Sequence, residues 1–327
     1  MNALAAAVFA AESGAHLVDE PRSLRFERFR ARFDEPSYRT RLAAAGLRFV
    51  TRCDAGFPSR LAEIHDPPLG LFVRGSAPLE LLDRPGVAIV GARACSPYGT
   101  AVALAFGREL AAAGAVVVSG LARGVDAAAH RGALDAGATV AVLGCGIDRD
   151  YPRTHAGLAR SIAERGLILS EYAPGVEPAP WRFPARNRIV AGLADATVVV
   201  EARERSGALI TADFALEEGR DVLVVPGEIT SHLSHGTNAL LRLGAVPATC
   251  VEDVLAVIGL EARPAAREPP PLGEPSAAVH ALVADAPAGA DELARRTGLS
   301  AGAVAAALAE LELLGLVAEA DGLYRLR

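Results

Sequence analysis

Six short apolar runs recur along the middle of the chain, and helical stretches lie between them. None of the runs shows the alternation of a strand with one exposed face, so they are typical of parallel strands covered on both sides. Strands that alternate with helices predict βαβ units. We therefore predict an α/β fold with a doubly wound, mostly parallel Rossmann-like sheet, whose strands include residues 87–91, 115–120, 139–144, 167–171, 197–202 and 221–227.

The two ends of the chain do not show the strand–helix alternation of the middle. Three helical stretches separated by Pro and Gly open the chain, and a Pro-rich segment, RPAAREPPPLGEPSA, precedes the last fifty residues. Those last residues predict three helices and a hairpin around Asp321-Gly322, which together indicate a winged helix. The predicted domains are a helical (SAM-like) domain at 1–47, an α/β domain at 48–262, a linker at 263–275 and a winged helix at 276–327.

The predicted winged helix lacks the side chains that read duplex DNA. Its would-be recognition helix, SAGAVAAALAELELLG, offers Ser300, Glu310 and Glu312 but no Arg, Lys, Asn or Gln. Base readout in the major groove needs such donors. From Ser276 onward the domain also carries seven acidic residues against four arginines. We expect it to bind a partner or to regulate rather than to read duplex DNA.

Charge and composition exclude several kinds of site. The net charge is −6, so any nucleic-acid site must concentrate positive charge locally. All 33 basic residues are arginine, which excludes a Schiff-base lysine. The four cysteines form no C-x-x-C, and the pair His232 and His235 lacks an evident third ligand, so we predict no metal and no cofactor. With no basic leader and no apolar run of about 20 residues, we expect a cytoplasmic protein without a membrane span.

Arginines follow the predicted strands at one edge of the sheet. In open parallel sheets, ligands bind at the carboxyl ends of the strands. The first such turn, in VAIVGARACSPYGT, lacks G-x-G-x-x-G, because Arg93 stands where the second glycine belongs. Glycine turns and helix N-termini beside the arginines offer N–H groups to anions. This edge predicts a phosphate or nucleic-acid site around Arg93, Arg123, Arg149, Arg153, Arg182, Arg186 and Arg188.

Seven ordered blocks carry a more specific signal. They read VAIVGARACSPYG, VVVSGLARGVDAAAHRGAL, VLGCGIDRDYPR, ILSEYAPG, FPARNRIVAGLADATVVVEA, RSGALITADFALEEGRDVLVVPG and GTNALLRLGA. Over roughly residues 49–250 the chain resembles the DNA-processing protein A family (DprA, also called Smf). The resemblance implies an extended Rossmann fold that binds and protects single-stranded DNA and loads the RecA recombinase onto it during natural transformation in competent cells.

The resemblance also implies which residues form the dimer and which contact single-stranded DNA. A homodimer is implied near Leu240, Leu241 and Leu243, although this run fits a buried helix face equally well. Two positions depart from the family pattern: Ala92 replaces a small hydroxyl residue, and Arg153 replaces a lysine. The implied contacts to single-stranded DNA are Gly91, Arg93, Ser96, Gly120, Arg123, Gly146, Arg149, Tyr151, Arg153, Arg186, Asn187, Arg188, Ser206 and Gly207.

An enzyme on the same fold is the alternative. Nucleotide phosphoribohydrolases resembling the LOG family share a glycine-rich rim, with a glutamate in the signature P-G-G-x-G-T-x-x-E. The corresponding region here, EARERSGALITADFALEEG, keeps Glu201 at a strand end but lacks the signature and a clear second carboxylate. A dinucleotide-dependent dehydrogenase is also disfavoured, because this chain lacks both the glycine fingerprint and the ribose-binding acidic residue of such enzymes. The sequence therefore favours a binding protein over an enzyme.

Overall fold

A computed structural model of the chain describes residues 2–13, 23–261 and 272–326. The chain divides into two compact units, Met1–Arg263 and Pro264–Arg327. Most of the predicted linker lies outside the described residues, and the four predicted domain ranges stay predictions.

The first unit is built on one large sheet. Within the described residues, nine strands form it in the order β1-β2-β6-β5-β4-β3-β7-β8-β9. The seven strands from β6 to β9 in that order run parallel, whereas β1 and β2 pair antiparallel to each other and β2 pairs antiparallel to β6. The strands are β1 (Leu47–Thr51), β2 (Gly70–Arg74), β3 (Gly86–Val90), β4 (Val116–Ser119), β5 (Thr139–Leu143), β6 (Leu167–Ser170), β7 (Ala196–Val199), β8 (Asp221–Val224) and β9 (Val246–Pro247).

This topology confirms the predicted doubly wound sheet, and each of the six apolar runs overlaps one of its parallel strands. The antiparallel extension by β1 and β2 was not predicted. Its residues lie in a segment interrupted by Pro67-Pro68 that has the composition of a connection. These residues become strands through tertiary contacts: Phe49 pairs with Phe72 across the two strands, with ring centroids 4.6 Å apart, and β2 pairs with β6, the last strand of the parallel part of the sheet.

Helices cover both faces of the sheet. Consecutive strand residues point to opposite faces, so Val90 packs with α8 and α9, whereas Ile89 packs with α5, α6 and α11. The helices of this unit are α1 (Ala3–Ser13), α2 (Leu24–Arg32), α3 (Glu35–Ala44), α4 (Ser59–Ala62), α5 (Pro97–Ala113), α6 (Val125–Ala136), α7 (Ala156–Arg165), α8 (Arg182–Gly192), α9 (Gly207–Glu217), α10 (His235–Arg242) and α11 (Val251–Val257).

The N-terminal helices share a core with the sheet. Phe9 and Phe26 of α1 and α2 pack in one cluster with Phe72 of β2 and Ile147, which follows β5. Because Ile147 lies just beyond a carboxyl strand end, this packing brings α1–α3 to the same end of the sheet as the predicted rim.

The second unit has the predicted winged-helix elements. They are α12 (Glu274–Asp285), α13 (Ala290–Thr297), α14 (Ala301–Leu313), β10 (Val317–Ala320) and β11 (Leu323–Leu326). The two strands pair antiparallel, and the turn between them has positive φ at Asp321 (56°) and Gly322 (78°). A two-residue hairpin turn with both φ values positive favours Asp-Gly, so this turn is the one that the sequence predicts.

Candidate functional site

The carboxyl ends of β3 and β7 mark the point where the strand order of the sheet reverses. From β3 the chain adds β4, β5 and β6 on one side, and then returns to β7 and β8 on the other. In open parallel sheets, ligands bind in the crevice at this point. The turn after β3 and the residues after β7 are therefore the centre of the candidate site.

A carboxylate of the protein itself fills the N-terminus of α5. Buried Glu201, just beyond β7, accepts hydrogen bonds from Ser96 N at 2.8 Å and from Ser96 Oγ at 2.5 Å. Ser96 is the N-cap of α5, and its Oγ also accepts from Gly99 N at 3.0 Å. A Cβ on Gly99 would lie 2.5 Å from the carboxyl carbon of Glu201, so any other residue would displace the carboxylate from this position.

This arrangement leaves the turn after β3 unable to bind phosphate in the usual way. A helix N-terminus binds phosphate because its N–H groups are unpaired and its dipole favours negative charge. Here Glu201 stands in the place of the anion. Ser96, which the resemblance implies as a DNA contact, directs its hydroxyl proton to Glu201. Arg93 is the exposed cation of this turn.

A cleft of about 220 Å³ lies beside this turn, and we call it the rim cleft. It is formed by the ends of β3 and β4 and by the first turns of α6, α8 and α9. Seven of the predicted contact residues line it together. They are Gly91, Arg93, Gly120, Arg186, Asn187, Ser206 and Gly207, and Ala122, Asp126, Phe183 and Thr211 are also in its wall.

Arg186 forms the floor of the rim cleft and ties two strand ends together. Its guanidinium donates to the backbone oxygens of Gly120, at 2.8 Å, and of Val142, while only 4% of the residue is exposed. A Cβ on Gly120 would overlap this guanidinium, so the glycine makes room for it. Burial lowers the pKa of Arg186, and the negative charge of Asp126 opposes that shift. Arg186 is thus built into the scaffold and reaches the cleft with one face.

Asp126 completes this buried charge arrangement. Its carboxylate accepts from Gly120 N at 3.1 Å and from Ala122 N at 3.2 Å. Burial raises the pKa of Asp126, whereas the Arg186 charge and these hydrogen bonds lower it. The carboxylate therefore fixes the turn after β4 and balances Arg186.

Arg188 occupies a different place from the other predicted contacts. It bonds to both carboxylate oxygens of Glu171, at 2.6 and 3.1 Å, and its Nε lies 3.1 Å from Asp66 Oδ2. Only 5% of its side chain is exposed. Bidentate pairing of this kind is strong and directional. Arg188 holds α8 to the loops after β6 and before β2, and it does not line the rim cleft.

An aromatic pair stands next to the rim cleft. The Tyr151 and Phe183 rings stack with centroids 5.3 Å apart and planes inclined by 27°. The Arg93 guanidinium lies 5.5 Å from the Phe183 centroid on a cation–π contact. Tyr151 is 41% exposed, so one side of the pair remains open. Phe183 was not among the predicted site residues; its one signal was an aromatic side chain within the arginine-rich segment WRFPARNR.

A second cleft, of about 550 Å³, lies on the other side of Tyr151, and we call it the outer cleft. Tyr151, Arg149 and Arg153 line it, together with Asp148, Asp150, Ala156, Glu177 and Pro178. Arg149 forms an ion pair with Glu177 at 2.8 Å. Gly146 shapes the loop instead of lining either cleft: its N–H donates to Val176 O at 2.8 Å.

Three predicted arginines keep their charge available. Arg93, Arg123 and Arg153 are exposed, and within the part of the chain that the structure describes none of them has a carboxylate within ion-pair distance. Arg123 lies in the turn after β4, Arg93 borders the rim cleft, and Arg153 borders the outer cleft. This positive charge is therefore spread along the carboxyl edge of the sheet.

The predicted dimer leucines divide into two kinds. Leu240 and Leu241 in α10 are half-buried and pack against the core of the sheet. Leu243, at the end of α10, is 84% exposed. It borders a cleft of about 460 Å³ between α9 and α10. Of the three, Leu243 is the side chain that a partner would meet.

His232 and His235 face each other with ring centroids 5.0 Å apart. Among the described residues, no group of three or more His, Cys, Asp or Glu side chains is arranged to hold a metal ion. No helix in the same ranges is long and apolar enough to cross a membrane.

Comparisons with known proteins extend this description. The family model described as DNA recombination-mediator protein A matches residues 48–259, and that of the DprA winged helix domain matches residues 263–322. The DNA processing protein DprA of Streptococcus pneumoniae is 47% identical over 208 residues, which cover 62% of this chain and 71% of that protein. Protein Smf of Escherichia coli is 40% identical over 283 residues, covering 83% and 75%.

Two solved structures are similar to this one. The X-ray structure of DNA processing protein A from Streptococcus pneumoniae has a TM-score of 0.66 and 38% identity, and the match covers 80% of this chain and 94% of that one. The structure of DNA processing protein A from Helicobacter pylori, described for its single-stranded DNA binding mode, has a TM-score of 0.58 and 34% identity. That match covers 64% of this chain and 95% of the other.

Proposed function

The chain belongs to the DNA recombination-mediator protein A family, and from this premise we propose that it binds single-stranded DNA along the carboxyl ends of its parallel strands. The observation that carries the proposal is the stacked pair Tyr151–Phe183 between two clefts, with Arg93 against one ring. A strand laid across this pair meets an aromatic face for a base and a guanidinium for a phosphate on either side.

The chemistry of this surface favours single strands. An aromatic side chain stacks on a base only where that base is not already stacked on both sides within a duplex, and such stacking contributes about 1–3 kcal/mol per base without regard to sequence. The rim cleft, at about 220 Å³, is also smaller than the roughly 300–1,000 Å³ of small-ligand pockets. It admits part of a nucleotide from a polymer more readily than a whole dinucleotide.

The roles of individual residues follow from their surroundings. Arg93, Arg123 and Arg153 are exposed and take phosphate contacts in this proposal. Gly91, Asn187, Ser206 and Gly207 shape the rim cleft wall, and Arg149 adds charge to the outer cleft. We assign positioning roles, rather than DNA contacts, to Ser96, Gly120, Gly146, Arg186 and Arg188, because each is engaged within the protein.

We favour binding over the hydrolytic alternative. A phosphoribohydrolase needs a carboxylate free to act on the ribose or its leaving group. Glu201 is buried against Ser96, and the carboxylate of Asp126 is hydrogen-bonded to the backbone. Incubation with nucleoside monophosphates tests this choice, since release of free base would support the enzyme.

The biological role in the proposal comes from the family resemblance. We propose that the bound strand is passed to the RecA recombinase during natural transformation, that the protein acts in the cytoplasm, and that it does so as a homodimer. Exposed Leu243 is the first surface residue to test for that dimer.

Fluorescence anisotropy with matched single- and double-stranded oligonucleotides tests the binding proposal directly. Three phosphate contacts by the free arginines predict that log K falls against log salt with a slope of about −2, from about −0.7 per contact on single strands. We expect the single strand to bind more tightly at every salt concentration. Equal affinity for the duplex, or affinity independent of salt, would reject the proposal.

A further inference from the structure

The N-terminal helices carry positive charge that the proposed rim does not use. Residues 23–45 contain six arginines against three acidic residues, in a chain whose net charge is −6. All six arginines are exposed. This segment lies outside residues 48–259, which the family model matches. Local charge of this density, against an acidic whole, indicates a surface with a polyanionic ligand.

Part of this charge surrounds a cleft of about 440 Å³ between α2 and α3, which we call the N-terminal cleft. Phe29 of α2 and Phe33, the residue that caps the C-terminus of this helix, both line the cleft. Their rings stack with centroids 5.4 Å apart and planes inclined by 28°. Arg28 and Arg32, four residues apart, line the same cleft. The cleft thus combines a flat aromatic surface with a row of cations.

Two arginines of the N-terminal cleft have no charged partner in the part of the chain that the structure describes. Neither Arg28 nor Arg32 has a hydrogen bond or an ion pair among the described residues. Asp34 lines the cleft, but its carboxylate caps α3 and accepts from Ser37 N at 3.1 Å and from Ser37 Oγ at 2.7 Å. Arg41 lies 5.0 Å from the Tyr38 ring centroid and adds a third guanidinium to the wall.

The N-terminal cleft is a neighbour of the outer cleft. Tyr38, beside Ser37 in α3, packs in the same cluster as Ile147. Burial raises the pKa of the Tyr38 phenol; the nearby Arg41 charge opposes this shift, and the charge of Asp148 adds to it. Asp148 is also a wall residue of the outer cleft. A strand that leaves the outer cleft on this side therefore reaches α3 and then the N-terminal cleft.

We propose that the N-terminal cleft is a second nucleic-acid site, which holds phosphates and stacks a base of the strand segment beyond the outer cleft. Its guanidinium groups fit phosphate, and its paired phenylalanine rings fit a base. An acidic peptide would satisfy the arginines but would leave the flat aromatic surface without a matching partner. The path from the rim rests on the function proposed above, although binding at the cleft itself does not.

The test uses the full-length protein and oligothymidylates of about 5 to about 30 nucleotides, a span that brackets common single-strand site sizes. The variant carries Arg28→Gln and Arg32→Gln, which remove two exposed charges and keep polar side chains that suit a helix. A control carries Arg108→Gln and Arg131→Gln, which remove two exposed arginines of α5 and α6 that line none of the three clefts. Arg93→Ala serves as the variant of the rim.

Two lost phosphate contacts predict a definite loss. In the counterion picture each contact on a single strand contributes a factor of about 3.8 at 0.15 M salt, so two contribute about 14-fold, and the salt slope becomes shallower by about 1.4. We expect this loss on the long strands and none on the shortest, which the rim alone holds. The control should change affinity equally and only slightly at all lengths.

The outcomes separate the two proposals. Unchanged binding of long strands by the Arg28 and Arg32 variant, while Arg93→Ala weakens short strands, overturns the N-terminal site and leaves the rim intact. That result would also be the one expected if the cleft took an acidic protein segment. If the cleft variant loses affinity for strands of every length and the control loses it equally, the loss is an effect of net charge and also overturns the N-terminal site. A loss on long strands from the cleft variant, with Arg93→Ala without effect, supports the N-terminal site and rejects the rim.

Discussion

Replacement of Glu201 by alanine tests how the turn after β3 is built. The carboxylate is buried, and it accepts two hydrogen bonds from Ser96 at the N-terminus of a helix of 17 residues. Hydrogen bonds to a charged group contribute about 1.5–3 kcal/mol each, and an anion at a partly buried helix N-terminus contributes up to about 2 kcal/mol. The cost of burying the carboxylate offsets part of this sum.

We expect Glu201→Ala to lower the free energy of unfolding by about 3 kcal/mol, because the Ser96 N–H loses its buried partner. For a unit of this size each kcal/mol shifts the melting temperature by about 2–4 °C, so calorimetry should show a fall of about 6–12 °C. Glu201→Gln keeps the shape but loses the charge, and its fall should be smaller. Glu204→Ala is the matched control, since Glu204 is exposed in the same loop.

Inorganic phosphate supplies the decisive comparison. With the carboxylate gone, the α5 N-terminus should accept an anion, and ligand at ten times its Kd stabilises by about 1.4 kcal/mol. Phosphate also stabilises proteins without binding to a specific site. The parent and the Glu204→Ala variant measure this nonspecific stabilisation. If phosphate raises the melting temperature of Glu201→Ala no more than that of Glu204→Ala, the internal carboxylate does not occupy an anion site and the reasoning fails.

Four further predictions follow from the same structure. Arg93→Ala should weaken single-strand binding about 4-fold at 0.15 M salt and reduce the salt slope by about 0.7, whereas Tyr151→Ala should weaken binding with the slope unchanged, both by anisotropy titration. Burial lowers the pKa of His130 from 6.5 to about 3, so the unfolded chain binds the proton before the folded protein does, and stability falls as the pH drops below about 6.5. In urea unfolding, the parent should lose about 2 kcal/mol of unfolding free energy between pH 8 and pH 5, and His130→Leu should not show this loss. Leu243→Arg should convert a dimer to a monomer in sedimentation velocity if the exposed end of α10 is the contact, and an unchanged mass would exclude that surface. Residues 276–327 expressed alone should not bind duplex DNA near physiological salt, and sub-micromolar affinity would contradict this.

The sheet was predictable because its signal is local. The central strands are short, mostly apolar runs, and several of them, such as VAIV at 87–90 and VAVL at 140–143, are followed directly by glycine, so composition and turn chemistry indicate the same element. The hairpin at Asp321-Gly322 was predictable for the same reason, since the turn type dictates the residue pair. β1 and β2 were missed because they become strands only through pairing with each other and with β6.

The rim cleft was predictable in place but not in detail, and its role as a binding site stays a prediction. The rule that strand ends bind ligands, together with the resemblance, located the residues that line the rim cleft. No sequence rule separates Arg186 and Arg188 from Arg93, because all are arginines near strand ends. Their difference is tertiary: Arg188 pairs with Glu171 from another strand, and Arg186 donates to carbonyl oxygens of two strand ends.

The pairing of Glu201 with Ser96 gives a physical reason why a Rossmann-like sheet would serve a polymer here. In a nucleotide-binding protein the helix after the first strand holds a phosphate of a small ligand, which is then enclosed at the switch point. In this chain that position is occupied by a side chain 105 residues away in sequence. The remaining cations, Arg93, Arg123 and Arg153, lie around the blocked position and are exposed. Free charge spread along an open edge suits successive phosphates of a strand, whereas one enclosed N-terminus suits a single phosphate. Under the proposed function, the carboxylate keeps a single phosphate out of this position without contacting the strand, so its removal should add a phosphate site without adding affinity for the strand.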